Sequence, residues 1–238
     1  MQIFYAENYT PGLREITLPL SETRHLRKVL RKKKNDEIIL TDGRGHHILG
    51  IIHHITEHYT QIYIQSYQEI RFPEENAIEV AIAVIKPRRM DWAVEKLTEL
   101  GVKKIIPLKC QYNSPYPLKL DHLNKIAISA IKQSNQYYLP KISSLVDIKD
   151  WIQTAKGIKF IASFDESPNT FIQKQISSSE LLQIMIGPEG GFHSSEIQLA
   201  YRHNFKSLYL GNTILRTETA AIVGVSNLKL YQKLIINK

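Results

Sequence analysis

Near residue 72 the hydrophobic rhythm of the chain changes, and no other feature limits the fold so tightly. Before that point, short stretches alternate apolar and polar residues, as around Ile62 and Ile64, which is the period of half-buried strands. Beyond it, brief continuous apolar runs alternate with longer segments whose apolar residues fall three and four apart. That is the pattern of covered parallel strands and amphipathic helices. The stretch between, Arg71-Phe72-Pro73-Glu74-Glu75-Asn76, reads as a linker. The break therefore predicts two domains, residues 1–72 and 73–238, in a chain of 238 residues, a length that accommodates both. With 43% apolar and 23% charged residues, the composition is that of folded domains rather than of a disordered chain.

In the first domain, strands are expected at residues 13–18, 36–41, 47–55 and 59–68, with Asp42-Gly43-Arg44-Gly45 as a turn. One short helix interrupts them, with Ser21 as its cap and Leu26, Val29 and Leu30 on one face. Several strands and one helix predict a small β-barrel. Arg24, Arg27, Lys28, Arg31, Lys32, Lys33 and Lys34 then project from the helix and the loop after it, with no acid among them. Against a net charge of +8, this cluster is the strongest local pointer to a polyanionic partner.

The second domain reads as alternating β and α. Strands are expected at 78–85, 104–108, 158–164, 182–186 and 208–210, and helices at 88–100, 120–133, after a loop beyond each of the strands 158–164 and 182–186, and from about 218 to 234. Met90, Ala93, Val94, Leu97 and Leu100 mark the inner face of the first helix, and Gly101 suits its left-handed C-terminal cap. The fold class is α/β with a mainly parallel, covered sheet.

Several function classes are excluded or left without support. The longest apolar runs, such as 82–85, fall far short of the ~18 residues of a membrane span. The first residues lack the basic and apolar regions of a signal peptide. One cysteine, Cys110, forms no internal disulfide and suits a reducing cytoplasm. No G-x-G-x-x-G follows the first α/β strand, and neither a phosphate-binding P-loop nor a G-x-S-x-G elbow occurs. His46, His47, His53, His54 and His58 are mostly adjacent pairs, which a strand sends to opposite faces, so no metal is expected.

Two segments carry the chemistry. Ile184-Met185-Ile186-Gly187-Pro188-Glu189-Gly190-Gly191-Phe192-His193-Ser194 is a buried strand that ends at a glycine-rich turn, with Ser194 placed to cap the next helix. Glycines there allow unusual backbone angles and close approach of backbone to a ligand or another segment. Leu210-Gly211-Asn212-Thr213-Ile214-Leu215-Arg216-Thr217-Glu218-Thr219-Ala220 repeats the design, with Thr217 as a cap and Glu218 at the positive end of the helix. Arg216, directly before that end, is electrostatically disfavoured. It either binds an anionic group or pairs with a surface carboxylate.

Taken together, the two segments resemble the RsmE family, enzymes that methylate N3 of a uridine in small-subunit ribosomal RNA. The resemblance extends to Lys86-Pro87-Arg88-Arg89-Met90 with Glu95-Lys96-Leu97-Thr98-Glu99-Leu100-Gly101-Val102, to Ala130-Ile131-Lys132-Gln133-Ser134 with Leu139-Pro140, and to His25-Leu26-Arg27-Lys28-Val29-Leu30-Arg31. It implies a PUA-like barrel followed by a SPOUT methyltransferase domain with a C-terminal trefoil knot, a rare departure from unthreaded topology. It also implies S-adenosylmethionine as cofactor, 16S rRNA in the small subunit as substrate, and a cytoplasmic homodimer using the last helix, with Ala221, Ile222, Val225 and Leu228 at the interface. On this mapping the cofactor site is lined by Ser163, Phe164, Ile186, Gly187, Pro188, Glu189, Gly190, Gly191, Leu210, Gly211 and residues 215–220, among them Leu215, Arg216, Thr219 and Ala220. Residues 162–166 form its third loop.

Arg216 is then the expected catalytic cation, facing the charge that develops on the uracil oxygens. Glu189 is either a proton acceptor or a residue that shapes its loop. Arg24, Arg27, Lys28, Arg31, Lys86, Arg88 and Arg89 are the expected phosphate contacts. Two departures stand out: Gln111-Tyr112 where the family usually carries Glu-Arg, and Asn135-Gln136 where it usually carries Gly-Arg. Tyr112, with Tyr116, Tyr137 and Tyr138 near it in sequence, either stacks on an unpaired base or packs as an ordinary tyrosine. The same motifs would also serve methylation of another RNA, or a non-catalytic role in RNA binding or ribosome assembly.

Overall fold

The computed structural model describes residues 3–72, 77–113, 116–163 and 181–236. They form two compact units: residues 1–72 with 128–139, and residues 73–127 with 140–238.

The first unit holds β1 (Ile3–Tyr5), β2 (Glu15–Leu18), α1 (Leu20–Arg24), β3 (Glu37–Thr41), β4 (His46–Ile55) and β5 (Thr60–Glu69), with α1 running into a π-helical turn at His25–Val29. The five strands lie in the order β1-β3-β4-β5-β2, so the sheet is a half-barrel whose two edge strands are β1 and β2. Phe4, Leu18, Leu26, Ile38, Leu40, Ile48, Ile52 and Ile62 fill it. Pro19, not Ser21, precedes the helix, and no side chain caps it. Asp42 closes the expected turn by accepting from the Arg44 backbone N–H at 2.8 Å. Its carboxylate also lies 2.7 Å from Nδ1 of His46.

Residues 128–139 join this unit through bonds that no local pattern announces. Gly45 donates to the Tyr137 carbonyl at 2.8 Å, and Leu139 donates to that of Gly43 at 2.8 Å. The Tyr138 hydroxyl donates to the Ile70 carbonyl at 2.6 Å and accepts from the Phe72 N–H at 3.0 Å. Gly45, at φ +104°, has no room for a Cβ against the Tyr138 phenol.

After residue 76, β6 (Ile78–Ala83), α2 (Pro87–Glu99), β7 (Lys104–Lys109), α3 (Leu120–Gln133, from residue 128 on part of the first unit), β8 (Lys141–Ile142), β9 (Val146–Asp147), α4 (Ile148–Thr154), β10 (Ile158–Ser163), β11 (Leu182–Ile186), α5 (Ser194–Arg202), β12 (Lys206–Tyr209) and α6 (Thr217–Ile236) follow one another. All the pairings are parallel, in the order β12-β10-β11-β6-β7-β8, with β9 also against β7. Every residue of the central strand β11 is buried, as a strand covered on both faces requires. Met90, Ala93, Val94 and Leu97 bury the inner face of α2, and Gly101 ends it at φ +65°. Gly224 brings α6 against the sheet, since a Cβ there would stand 2.5 Å from Cδ1 of Ile184.

The short elements β1, β8, β9 and α4 were not expected from the pattern. Strands of two or three residues carry no period. α4 did carry a signal: Asp147 caps it, accepting from Lys149 N–H at 3.0 Å, with Ile148, Trp151 and Ile152 buried at helical spacing. No helix among the described residues is long and apolar enough to cross a membrane.

Candidate active site

Parallel strands carry their following loops at one edge of the sheet, where ligands of such folds bind. At that edge the ends of β10, β11 and β12 open into a cleft of about 370 Å³. Its wall is Ile161, Ala162 and Ser163 from β10, then Ile186, Gly187, Pro188, Gly191 and Phe192 from β11 and its loop, with Ile197 of α5. Leu210, Gly211, Thr213 and Leu215 of the loop after β12 complete it with Thr217 and Ala220 of α6. The two glycine-ended segments, 20 and more residues apart in sequence, thus share one cavity.

They are also joined directly. The Thr217 hydroxyl donates to the Gly187 carbonyl at 2.9 Å, so the residue expected to cap α6 ties its start to the β11 loop instead. Phe192 folds back over Gly187, where a Cβ would stand 3.2 Å from its ring. Gly191 and Gly211, at φ +74° and +122°, hold backbone angles that L-residues rarely adopt, and a Cβ at either would meet open space.

The cap of α5 is His193 rather than Ser194, with its Nδ1 accepting from Ser195 N–H at 3.2 Å. Behind it lies the buried carboxylate of Glu196, whose oxygens accept from His193 N–H and from Gln111 N–H, both at 2.8 Å. Glu196 therefore ties the 110–113 turn to the glycine loop. Glu196→Gln leaves one of those N–H groups facing an amide NH2. It is expected to cost about 1–3 kcal/mol, read as a thermal midpoint lower by about 2–4 °C per kcal/mol; an unchanged midpoint would show the tie to be idle.

Of the residues assigned to the cofactor by resemblance, Ser163, Ile186, Gly187, Pro188, Gly191, Leu210, Gly211, Leu215 and Ala220 line the cleft. Glu189, Gly190, Arg216 and Thr219 lie outside its wall. Phe164 and the rest of the third loop, 165–166, lie outside the described residues. Arg216 is exposed and pairs with no carboxylate among the described residues. Glu189 is ion-paired to Arg89. Gly190 faces Tyr112, whose Cβ is 3.6 Å from where a Cβ of Gly190 would be. Tyr112 is half exposed and stands edge-on to His193, ring centroids 5.6 Å apart. Ile161, Phe192, Ile197 and Thr213 are additions to the wall. Phe192 directly follows the glycine run and was the most legible of them.

The expected phosphate contacts are mostly at the surface. Arg24, Arg27 and Lys28 line a small hollow of about 170 Å³ with Leu20, Glu57 and His58. Arg27 lies 3.7 Å from the Glu57 carboxylate. Arg31 is exposed at φ +52°, and Lys86 and Arg88 are exposed where α2 begins.

No charged side chain among the described residues belongs to the cleft wall. Among the described residues no three His, Cys, Asp or Glu side chains gather to hold a metal. Cys110 is buried, and burial pushes its thiol well above the usual range, so it offers no thiolate nucleophile. The cavity is neutral, largely apolar and framed by backbone, the kind that takes a small organic molecule by shape and a few polar contacts.

Comparison with known proteins agrees with this architecture. Residues 73–229 match an RNA methyltransferase domain, and residues 20–62 match an RNA methyltransferase PUA domain. Ribosomal RNA small subunit methyltransferase E of Rickettsia conorii is 31% identical over 87% of this chain and 85% of that one. A methyltransferase from Legionella pneumophila, solved with bound S-adenosylmethionine, superposes with a TM-score of 0.85 at 28% identity, covering 96% of each chain. The small subunit methyltransferase E of Neisseria gonorrhoeae bound to S-adenosylmethionine gives 0.85 at 26% identity, covering 97% of each. A methyltransferase domain matched over more than half the chain, behind a PUA domain and with a relative alike over most of its length, establishes that the chain belongs to the ribosomal RNA small subunit methyltransferase E, or RsmE, family.

Proposed function

We propose that the protein transfers a methyl group from S-adenosylmethionine to N3 of a uridine in 16S rRNA of the small ribosomal subunit. The observation that carries this reading is the meeting of both glycine-ended segments in one cleft, tied by the Thr217–Gly187 hydrogen bond. The residues present fit the cofactor. The cleft has the volume of a small-molecule site, and among the described residues its wall brings no cation against a sulfonium and nothing stands within 4 Å of where a Cβ of Gly191 or Gly211 would be. When bound, S-adenosylmethionine supplies an activated methyl group on a sulfonium.

The chain's own part is to position and to stabilise. Ile186, Gly187, Pro188, Gly191, Leu210, Gly211, Leu215, Thr217 and Ala220 hold the cofactor between them. Loss of the N3 proton leaves uracil with negative charge shared by O2 and O4, and an oriented cation beside them lowers the barrier. Arg216, exposed between the wall residues Leu215 and Thr217 and paired with no carboxylate among the described residues, is that cation. Glu189 serves its loop through Arg89 rather than as the proton acceptor.

Residues 1–72 act as the RNA-binding domain and 73–238 as the methyltransferase. Arg24, Arg27, Lys28 and Arg31 grip phosphates on one, Lys86 and Arg88 on the other, and Tyr112 offers a face for an unpaired base. The C-terminal segment forms the trefoil knot, and α6 pairs with its copy in a cytoplasmic homodimer, using the exposed Leu230 and Leu234 and not the expected Ala221, Val225 and Leu228, which are buried within the chain. Replacing Arg24, Arg27 and Lys28 by alanine is expected to weaken RNA binding and to flatten its dependence on log salt by about three, with cofactor affinity unchanged. A slope equal to that of the native protein would remove these side chains from the interface.

The reading is tested by incubating the protein and labelled S-adenosylmethionine with small subunits that lack the modification. Label entering the 16S rRNA supports it; cofactor binding with no transfer would assign the protein to RNA binding or assembly.

A further inference from the structure

Arg89 sits in the first turn of α2, a turn without an acidic residue, where the helix dipole disfavours a cation. As a basic residue of the segment that resembles the family, it is expected among the phosphate contacts. In the structure its guanidinium is occupied by two carboxylates. One is Glu189, on the loop after β11. The other is Glu218, in the first turn of α6, with Oε1 3.6 Å from the Arg89 Nε. Glu218 is 5% exposed, and its Oε2 is buried without a hydrogen-bond partner. Arg89 is the cation that compensates this carboxylate among the described residues, and a buried charge left alone is strongly unfavourable.

The three segments differ in how firmly they are held. α2 follows β6, which is paired along its length with β11, and buries its apolar face, lying against α6. The other two are the glycine-containing walls of the cleft. We infer that Arg89 is a positioning residue: it holds the β11 loop and the start of α6 at the spacing that shapes the cleft, and its charge is not available to RNA phosphate. Arg216, two residues before Glu218, is placed by the same contact. The inference rests on the reading of this cleft as the cofactor site, and extends it to a residue outside the wall.

The test compares the native protein with Arg89→Met, Arg89→Lys, Glu189→Gln and the double variant R89M/E189Q. Calorimetric titration with S-adenosylmethionine, without RNA, gives affinity. Amide hydrogen exchange, also without RNA, reports the two loops independently of any cofactor. Arg89→Met is expected to weaken cofactor binding by about tenfold or more, the loss of a partner to a buried charge. Exchange should rise at 187–193 and 210–220 and stay unchanged in β6 and β7. Arg89→Lys, a point charge that cannot fork between two carboxylates, should recover part of the loss. The double variant should lose no more than R89M alone.

Exchange unchanged in the two loops of R89M would overturn the inference, as would a rise spread evenly over the whole sheet. Cofactor affinity like the native protein's, with an RNA salt slope shallower by about one, would return Arg89 to phosphate binding. A native protein that binds no S-adenosylmethionine would sink the cofactor reading, while the exchange data would still decide whether Arg89 holds the loops.

Discussion

Arg216→Ala is expected to lower turnover by about 10²–10³-fold, the usual cost of removing one preorganised group that faces developing charge. Affinity for S-adenosylmethionine should stay close to that of the native protein, because Arg216 stands outside the wall of the cleft. The variant should fold normally, since the side chain is exposed and pairs with no carboxylate among the described residues. The residue also sits where a cation gains nothing from its own helix, directly before the positive end of α6. Single-turnover rates with saturating cofactor and RNA, beside calorimetric cofactor binding, check both halves. Equal losses in rate and cofactor affinity would mean that Arg216 only supports the loop.

Gly211→Val should weaken cofactor binding by about 10- to 100-fold. Gly211 holds φ +122°, a region closed to β-branched side chains, and forcing such a residue there costs about 1–3 kcal/mol. The loop would relieve that strain by rotating Leu210 and Leu215 away from their places in the wall. Added bulk beside the cleft worsens the fit. Thermal stability should fall less than binding does, because the position lies beyond β12 and outside the sheet. Calorimetric titration of the variant, with a melting curve as control, gives the answer. Binding within a few-fold of native would show that the loop after β12 does not shape the site.

Much of this architecture was legible where physics leaves a local mark. The helix at 120–133 carries a full amphipathic period, and its observed bounds coincide with it. Gly101 announced the end of α2 through a backbone angle that glycine adopts without strain. Both cleft loops were visible because each buried strand ran into a glycine. What was not legible depends on partners distant in sequence. Arg89 and Glu189 stand 100 residues apart, and nothing in the spacing of either shows that they meet. The same holds for Tyr138, whose hydroxyl reaches residue Ile70 and carries 128–139 into the first unit. Helix caps were misplaced by short steps: Ser194 and Thr217 have the right chemistry, but His193 takes the first role and the Gly187 carbonyl claims the hydroxyl of the second. Ile197 and Thr213 reach the cleft by geometry that neither neighbour signals.

The chemistry itself is tested most directly on the product. Small ribosomal subunits that lack the modification are incubated with the protein and methyl-labelled S-adenosylmethionine, the 16S rRNA is digested, and the labelled nucleoside is identified by mass spectrometry. The account predicts N3-methyluridine in the native reaction, and its near absence with Arg216→Ala despite intact cofactor binding. Label in any other nucleoside, or none while the cofactor binds, would contradict it.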